Sequence, residues 1–243
     1  ETVEALKAEC RAGAMSIPAE GWARSPNAGA IGINDYNGDG KADLAIFDNR
    51  GGQWYIMTAA GALVLWADPW GWPGAIPVPG DYNGDGLYDQ AVFDNNTGKW
   101  YIKTLDNKLL AWEVPWGWPG AEPVWGDYDG DGKSDLTVFD QNTGYWYSLS
   151  LSKGPLIWAE PWGWPGAIPV PGDYNGNGKS DLTVFDNNSG NWFSMTVNKS
   201  LIMWAEPWGW PGAITVPGDY DGDDIDDMAV FDNNTGNWYI LSV

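Results

Sequence analysis

Histidine is absent from this 243-residue chain, and cysteine occurs once, at Cys10. Without imidazole there is no Ser-His-Asp triad, no histidine general base and no histidine-ligated zinc site. One thiol permits no internal disulfide, so Cys10 is either a silent thiol or an inter-subunit bridge. Basic residues are scarce as well: 12 Lys and Arg stand against 33 Asp and Glu, a formal charge of -21 at pH 7. That balance repels nucleic acid and anionic membrane surfaces and attracts cations, so no nucleic-acid partner is expected. Apolar runs of about twenty residues are missing too, which leaves no helical membrane span. The chain starts at Glu1 with neither a basic n-region nor an apolar h-region, so a signal peptide was either removed or never there.

What is present in excess is 19 Trp, 33 Gly and 17 Pro, the composition of many short strands joined by demanding turns. Acidic chains are often disordered, but those lack aromatics, and this one does not.

The string Asp-Tyr-(Asn/Asp)-Gly starts at Asp35, Asp81, Asp127, Asp173 and Asp219, at intervals of 46 residues. Phe47, Phe93, Phe139, Phe185 and Phe231 keep the same interval, as do Trp54, Trp100, Trp146, Trp192 and Trp238. Within one repeat, Ile76 to Gly80, Gln90 to Asp94, Lys99 to Leu105 and Leu109 to Glu113 read as four strands. Asn95-Asn96-Thr97-Gly98 and Asp106-Asn107-Lys108 read as the hairpin turns between them. Pro77 and Pro79 remove donors on one edge of the first strand while Val78 can still donate to the second, which places the first strand at a sheet edge.

Four antiparallel strands per repeat is the dimension of a propeller blade. The fold class expected for residues 13–243 is therefore all-β, a five-bladed β-propeller of 46-residue four-stranded repeats. The fifth repeat reaches Val243 after its third strand, and residues 13–18, containing Ala14-Met15-Ser16-Ile17, are the expected closing strand of the last blade. An open solenoid is the competing architecture. Residues 1–12 form an N-terminal extension with Val3, Leu6 and Cys10 on one helical face, either a loosely docked helix or a self-association contact.

Each repeat carries a nine-residue loop whose odd positions bear oxygen donors. The five sets are Asp35, Asn37, Asp39, Lys41 and Asp43; Asp81, Asn83, Asp85, Leu87 and Asp89; Asp127, Asp129, Asp131, Lys133 and Asp135; Asp173, Asn175, Asn177, Lys179 and Asp181; and Asp219, Asp221, Asp223, Ile225 and Asp227. In a tightly curled loop these positions converge: side chains come from positions one, three and five, a backbone carbonyl from position seven and a closing carboxylate from position nine. Hard oxygens suit a hard cation, so up to five Ca2+ are expected, with Mg2+ the weaker candidate. The competing reading is a run of metal-free Asx-turns. The fourth loop has the fewest carboxylates and is the weakest expected site, and the fifth lacks the second glycine, having Asp223-Asp224 instead.

Asp-Tyr-Asn-Gly-Asp-Gly-Leu-Tyr-Asp at 81–89, followed by Gln-Ala-Val-Phe, resembles the FG-GAP and VCBS-type repeats of integrin α-subunit propellers, bacterial surface proteins and fungal lectins. The resemblance runs from about Ile31 to Val243 and implies that each loop joins the first two strands of a blade and binds calcium. Those families commonly have seven blades, and their inserted ligand-recognition loops have no counterpart here.

Pro-Trp-Gly-Trp-Pro-Gly recurs between repeats, placing Trp70 and Trp72, Trp116 and Trp118, Trp162 and Trp164, and Trp208 and Trp210 at four junctions. The fifth junction, Ala23 to Ala28, has lost both tryptophans. These rings either fill the wedge between blades or stack on sugars as repeated lectin sites. Asn95, Asn187, Asn198 and Asn233 satisfy the glycosylation sequon, but three lie in turns that already explain them. The Asp residues are committed to repeated loops, which is unlike one asymmetric catalytic site, so no enzyme activity is expected. The functional expectation is an extracellular or cell-surface calcium-binding module for glycans or another surface protein. The alternative is a structural subunit of a surface assembly or filament.

Overall fold

The computed structural model describes residues 34–243. The expected closing strand at 13–18, the extension at 1–12 with Cys10, and the tryptophan-free junction at 23–28 lie outside the described residues. The chain is an all-β, five-bladed β-propeller, and no helix occurs among the described residues. Its contacts divide it into two units, one built on the first two sheets and the other on the last three.

In the first unit, β1 (Asp43–Asp48), β2 (Gln53–Thr58) and β3 (Leu63–Asp68) form a three-stranded sheet. Strands β4 (Ile76–Pro77), β5 (Gln90–Asp94), β6 (Lys99–Lys103) and β7 (Leu109–Pro115) form a four-stranded one. In the second unit, β8 (Glu122–Val124), β9 (Leu136–Asp140), β10 (Tyr145–Ser150) and β11 (Gly154–Pro161) repeat the pattern. So do β12 (Ile168–Pro169), β13 (Leu182–Asp186), β14 (Asn191–Met195) and β15 (Leu201–Pro207). The last sheet has β16 (Ile214–Thr215), β17 (Met228–Asp232) and β18 (Asn237–Leu241). All pairings are antiparallel, in sequence order, with the first strand at an edge.

Strand limits differ from the sequence reading in three places. The first strand is two residues rather than the span Ile76 to Gly80, because Pro77 and Pro79 cannot donate; only the Val78 amide continues the ladder, to the Ala91 carbonyl at 3.0 Å, before a bridge from Gly80 to Asp89. The third stops at Lys103 rather than Leu105, where the Thr104 hydroxyl accepts the Lys108 amide at 3.0 Å and turns the chain. The fourth runs on to Pro115 through an irregularity in its ladder.

The core is the same in the first four blades. Trp54, Trp100, Trp146 and Trp192 are buried, tilted or edge-on against Phe47, Phe93, Phe139 and Phe185 at 5.1–5.5 Å. Each indole N–H donates to the carbonyl of a junction tryptophan, Trp70, Trp116, Trp162 or Trp208, at 2.6–2.7 Å. A buried indole needs such an acceptor, so the core residue dictates where the junction runs. In the second unit β8, β12 and β16 line one narrow cavity of about 30 Å³ with Val124, Val170, Pro171 and Thr215.

Candidate functional site

The second to fifth nine-residue loops follow the first strand of their blades, and all five are closed at the base by one backbone bond. The amides of Asp43, Asp89, Asp135, Asp181 and Asp227 donate to the carbonyls of Asn34, Gly80, Gly126, Gly172 and Gly218 at 2.7–2.9 Å. Above the base, the position-one carboxylate gathers loop amides. Asp127 accepts from Gly130 and Gly132 at 2.7 Å each, and Asp35 from Gly38 at 2.6 Å and Gly40 at 2.7 Å. Asp81 accepts from Gly86 at 2.8 Å and Asp173 from Gly178 at 2.7 Å. The fifth loop curls without its second glycine because Asp224 takes φ 67°, the left-handed conformation held elsewhere by Gly40, Gly86, Gly132 and Gly178. Its amide reaches Asp219 at 3.1 Å.

Position five closes a smaller turn: Asp39, Asp85, Asp131 and Asp223 accept the amides of Lys41, Leu87, Lys133 and Ile225 at 2.9–3.1 Å. Position nine accepts the amide of the loop tyrosine, from Tyr36 to Asp43, Tyr128 to Asp135, Tyr174 to Asp181 and Tyr220 to Asp227, at 2.8–3.0 Å. The tyrosines anchor the loops: Tyr36, Tyr82, Tyr128 and Tyr174 are buried, and the Tyr174 hydroxyl donates to the Val170 carbonyl at 3.1 Å.

Asx-turn bonds thus recur from loop to loop, but they do not use every oxygen. Oδ1 of Asp135, Asp181 and Asp227 is buried with no hydrogen-bond partner, as is Oδ2 of Asp129. A buried carboxylate oxygen without a donor is costly, and burial drives the Asp135 and Asp181 carboxyls up to about 8, with neighbouring carboxylates adding to the rise. Burial likewise raises Asp43, Asp127 and Asp227. Carboxylate oxygens of Asp127, Asp129 and Asp131 lie within 4.8 Å of one another, and so do those of Asp219, Asp221 and Asp227. An oxygen-only donor set around an orphaned carboxylate fits a hard divalent cation. In the fourth loop the Asn175 amide donates to Asp181 at 2.7 Å, and in the first Asn37 donates to Asp43 at 3.0 Å. The Lys153 ammonium sits 2.9 Å from Asp129 and 3.5 Å from Asp131, at the rim of the third loop. A cavity of about 390 Å³ opens beside the fourth loop, lined by Asp129, Leu156, Asn177, Lys179, Asp181 and Asn198.

Position eight, to which the sequence pattern drew no attention, joins consecutive loops. The Tyr88 amide donates to the Asp35 carbonyl at 2.9 Å, the Ser180 amide to Asp127 at 2.7 Å and the Asp226 amide to Asp173 at 2.8 Å. The position-seven side chains Leu87, Lys179 and Ile225 lie across Gly38, Gly130 and Gly176 of the preceding loop.

The eight junction tryptophans are all half-buried. Trp72 meets Tyr101 edge-on at 4.9 Å, Trp164 meets Phe193 at 5.0 Å and Trp210 meets Tyr239 at 5.2 Å. The other side of that third-strand ring holds a second tryptophan, on the fourth strand: Tyr55 with Trp66, Tyr101 with Trp112, Tyr147 with Trp158 and Phe193 with Trp204, at 5.1–5.5 Å and 88–90°. Trp70 and Trp162 touch Trp112 and Trp204 at 6.1 Å. Packing is therefore a role these junction rings do play. The turn asparagines hold the junctions too, with Asn95 and Asn187 accepting the amides of Gly120 and Gly212 at 3.2 and 2.9 Å.

Two segments, residues 35–92 and 81–138, match the family model described as FG-GAP-like repeat. No curated protein matches the chain in sequence. Among solved structures, an Agrocybe aegerita lectin studied for recognition of non-reducing terminal N-acetylglucosamine is 18% identical, with a TM-score of 0.56. The alignment covers 88% of this chain and 64% of the lectin, so the chain spans less than two thirds of that protein. The Vibrio cholerae biofilm matrix protein Bap1 is 19% identical with a TM-score of 0.35, covering 86% of this chain and 38% of that one. The likeness to the lectin concerns the fold.

Proposed function

Because the chain carries FG-GAP-like repeats on a five-bladed β-propeller, we propose that it is an extracellular, calcium-loaded binding module without catalytic activity, and that its ligands are carbohydrates. The observation that carries the calcium reading is the buried, unpartnered Oδ1 of Asp135, Asp181 and Asp227, repeated in register at position nine of three loops. Side chains at positions one, three, five and nine would hold each ion, with the carbonyls of Lys41, Leu87, Lys133, Lys179 and Ile225 at position seven. The ion supplies charge neutralisation, keeping the loops curled when their carboxylates are ionised.

The lectin likeness supports carbohydrate as the ligand class, as do the aromatic clusters repeated from blade to blade. Near-equivalent sites on successive blades gain avidity for clustered sugars. The test is calorimetric calcium titration of chelator-treated protein, followed by glycan-array binding with calcium and with chelator. Uptake of several ions together with calcium-dependent glycan binding is the expected result. No ion uptake removes the calcium reading, and a silent array removes the carbohydrate one.

A further inference from the structure

The junction tryptophans are half-buried in packing, whereas the three most exposed tryptophans among the described residues, Trp158, Trp204 and Trp112, lie on fourth strands. Trp66, Trp112, Trp158 and Trp204 recur every 46 residues and are 39%, 58%, 73% and 67% exposed. In each case the next residue has left-handed backbone: Ala67 at φ 54°, Glu113 at 55°, Ala159 at 53° and Ala205 at 56°. For a residue with a Cβ this conformation costs about 1–2 kcal/mol.

The strained residue has one clear geometric effect. On β14 and β15, Trp192 pairs with Glu206, the ladder shifts at Ala205, and Phe193 pairs with Trp204. Without the shift, Trp204 would face Ser194, which is fully buried on the same side as Trp192. The bulge turns the indole out of the core and sets it upright against Phe193. The fold therefore sacrifices stability four times over to hold a rigid ring in water, and strain of this kind collects at functional positions.

We propose that these fourth-strand tryptophans are stacking platforms for the apolar CH face of pyranose rings, so that the ligand is an oligosaccharide or a dense display of sugars. This rests on the carbohydrate reading of the module. Each ring stands in its own small aromatic cluster, and ion pairs lie close in sequence to two of them: Glu113, next to Trp112, pairs with Lys99 at 2.9 Å, and Glu160, two residues from Trp158, pairs with Lys199 at 2.7 Å. A protein partner needs about 800 Å² of continuous surface per side, several times what one indole face presents. A second copy of a chain with formal charge -21 is repelled. A sugar needs only one flat apolar face with hydrogen-bonding groups at its rim, and a ring already braced edge-on against a third-strand aromatic loses little entropy on binding.

The test is a glycan microarray in calcium, including N-acetylglucosamine-terminated oligosaccharides, probed with wild type, the Trp158→Ala/Trp204→Ala pair and the Trp158→Phe/Trp204→Phe pair. Expected is a loss of about tenfold or more in the alanine pair and substantial retention in the phenylalanine pair, because an aromatic face survives. Thermal melting accompanies each protein, and if the alanine pair is unstable the single Trp158→Ala variant decides. Wild-type binding that the alanine variants leave unchanged overturns the platforms while the carbohydrate reading stands. A wild type silent on the whole array overturns both.

Discussion

The backbone N–H of Asp173 donates to the Asp226 carboxylate at 2.8 Å, and the N–H of Asp226 donates back to the Asp173 carbonyl at 2.8 Å. Position one of the fourth loop and position eight of the fifth are thereby clamped. Asp127 and Ser180 repeat the arrangement one blade earlier, the Ser180 hydroxyl accepting the Asp127 amide at 3.1 Å. Removing the Asp226 side chain leaves the Asp173 amide buried without its acceptor, at a cost of about 1–3 kcal/mol. Asp226→Ala is expected to lower urea stability by that amount and weaken calcium binding at the fourth loop. Asp226→Ser, copying Ser180, is expected to recover part of both. Unchanged denaturation and calcium titrations for Asp226→Ala would show the clamp to be idle.

Burial raises the Asp135 and Asp181 carboxyls to about 8 and Asp226 to about 7, whereas an unfolded aspartate titrates near 3.9. Between those values the metal-free folded protein holds more protons than the unfolded chain. Its stability is therefore greatest at the acid end and falls as pH rises through the window. Melts in chelator are expected to drop in midpoint from about pH 5 to about pH 8. In calcium the trend is expected to flatten or invert, since the bound ion favours ionised carboxylates. A chelated protein indifferent to pH would contradict the burial argument.

The loops differ in charge, and calcium affinity follows charge. Asn177→Asp is expected to strengthen the fourth site by adding a carboxylate beside Asp173 and Asp181. Lys153→Gln is expected to strengthen the third by removing the ammonium 2.9 Å from Asp129. Calorimetry resolves both, and a weaker third site after Lys153→Gln would mean that the lysine organises the loop.

Gly144 and Gly166 both have left-handed backbone, at φ 77° and 84°. A Cβ on Gly144 would stand 2.2 Å from the Trp164 backbone nitrogen, whereas one on Gly166 meets nothing within 4 Å. Gly166→Ala is expected to cost about 1–2 kcal/mol, the conformational penalty alone. Gly144→Ala should cost clearly more, because the junction must move off its turn. Equal losses in chemical denaturation would mean that the junction yields freely.

Much of the fold was legible because repetition reveals equivalence. The 46-residue interval led to the blades, the strand order and the loop positions, and the proline pattern located the amide of Val78, which does pair with Ala91. The fourth-strand bulge escaped notice because Ala67, Ala159 and Ala205 carry no mark of left-handed backbone, unlike a glycine. Position eight escaped because Ala42, Tyr88, Ser134, Ser180 and Asp226 share no chemistry, and the bond that Tyr88, Ser180 and Asp226 make to the preceding loop uses only the backbone.

Sequence by itself determined how many blades there are, which residues recur together, and that oxygen donors gather at alternate positions of each loop. These follow from spacing along the chain, which folding preserves. Only tertiary structure decided which aromatic residues meet water. Trp100, Trp116 and Trp112 keep the same 46-residue interval with their counterparts, yet the first is buried, the second half-buried and the third exposed. Periodicity marks positions as equivalent to one another but is silent about their surroundings. Those are set by the neighbouring strand, the junction and one strained residue that turns the ring outward.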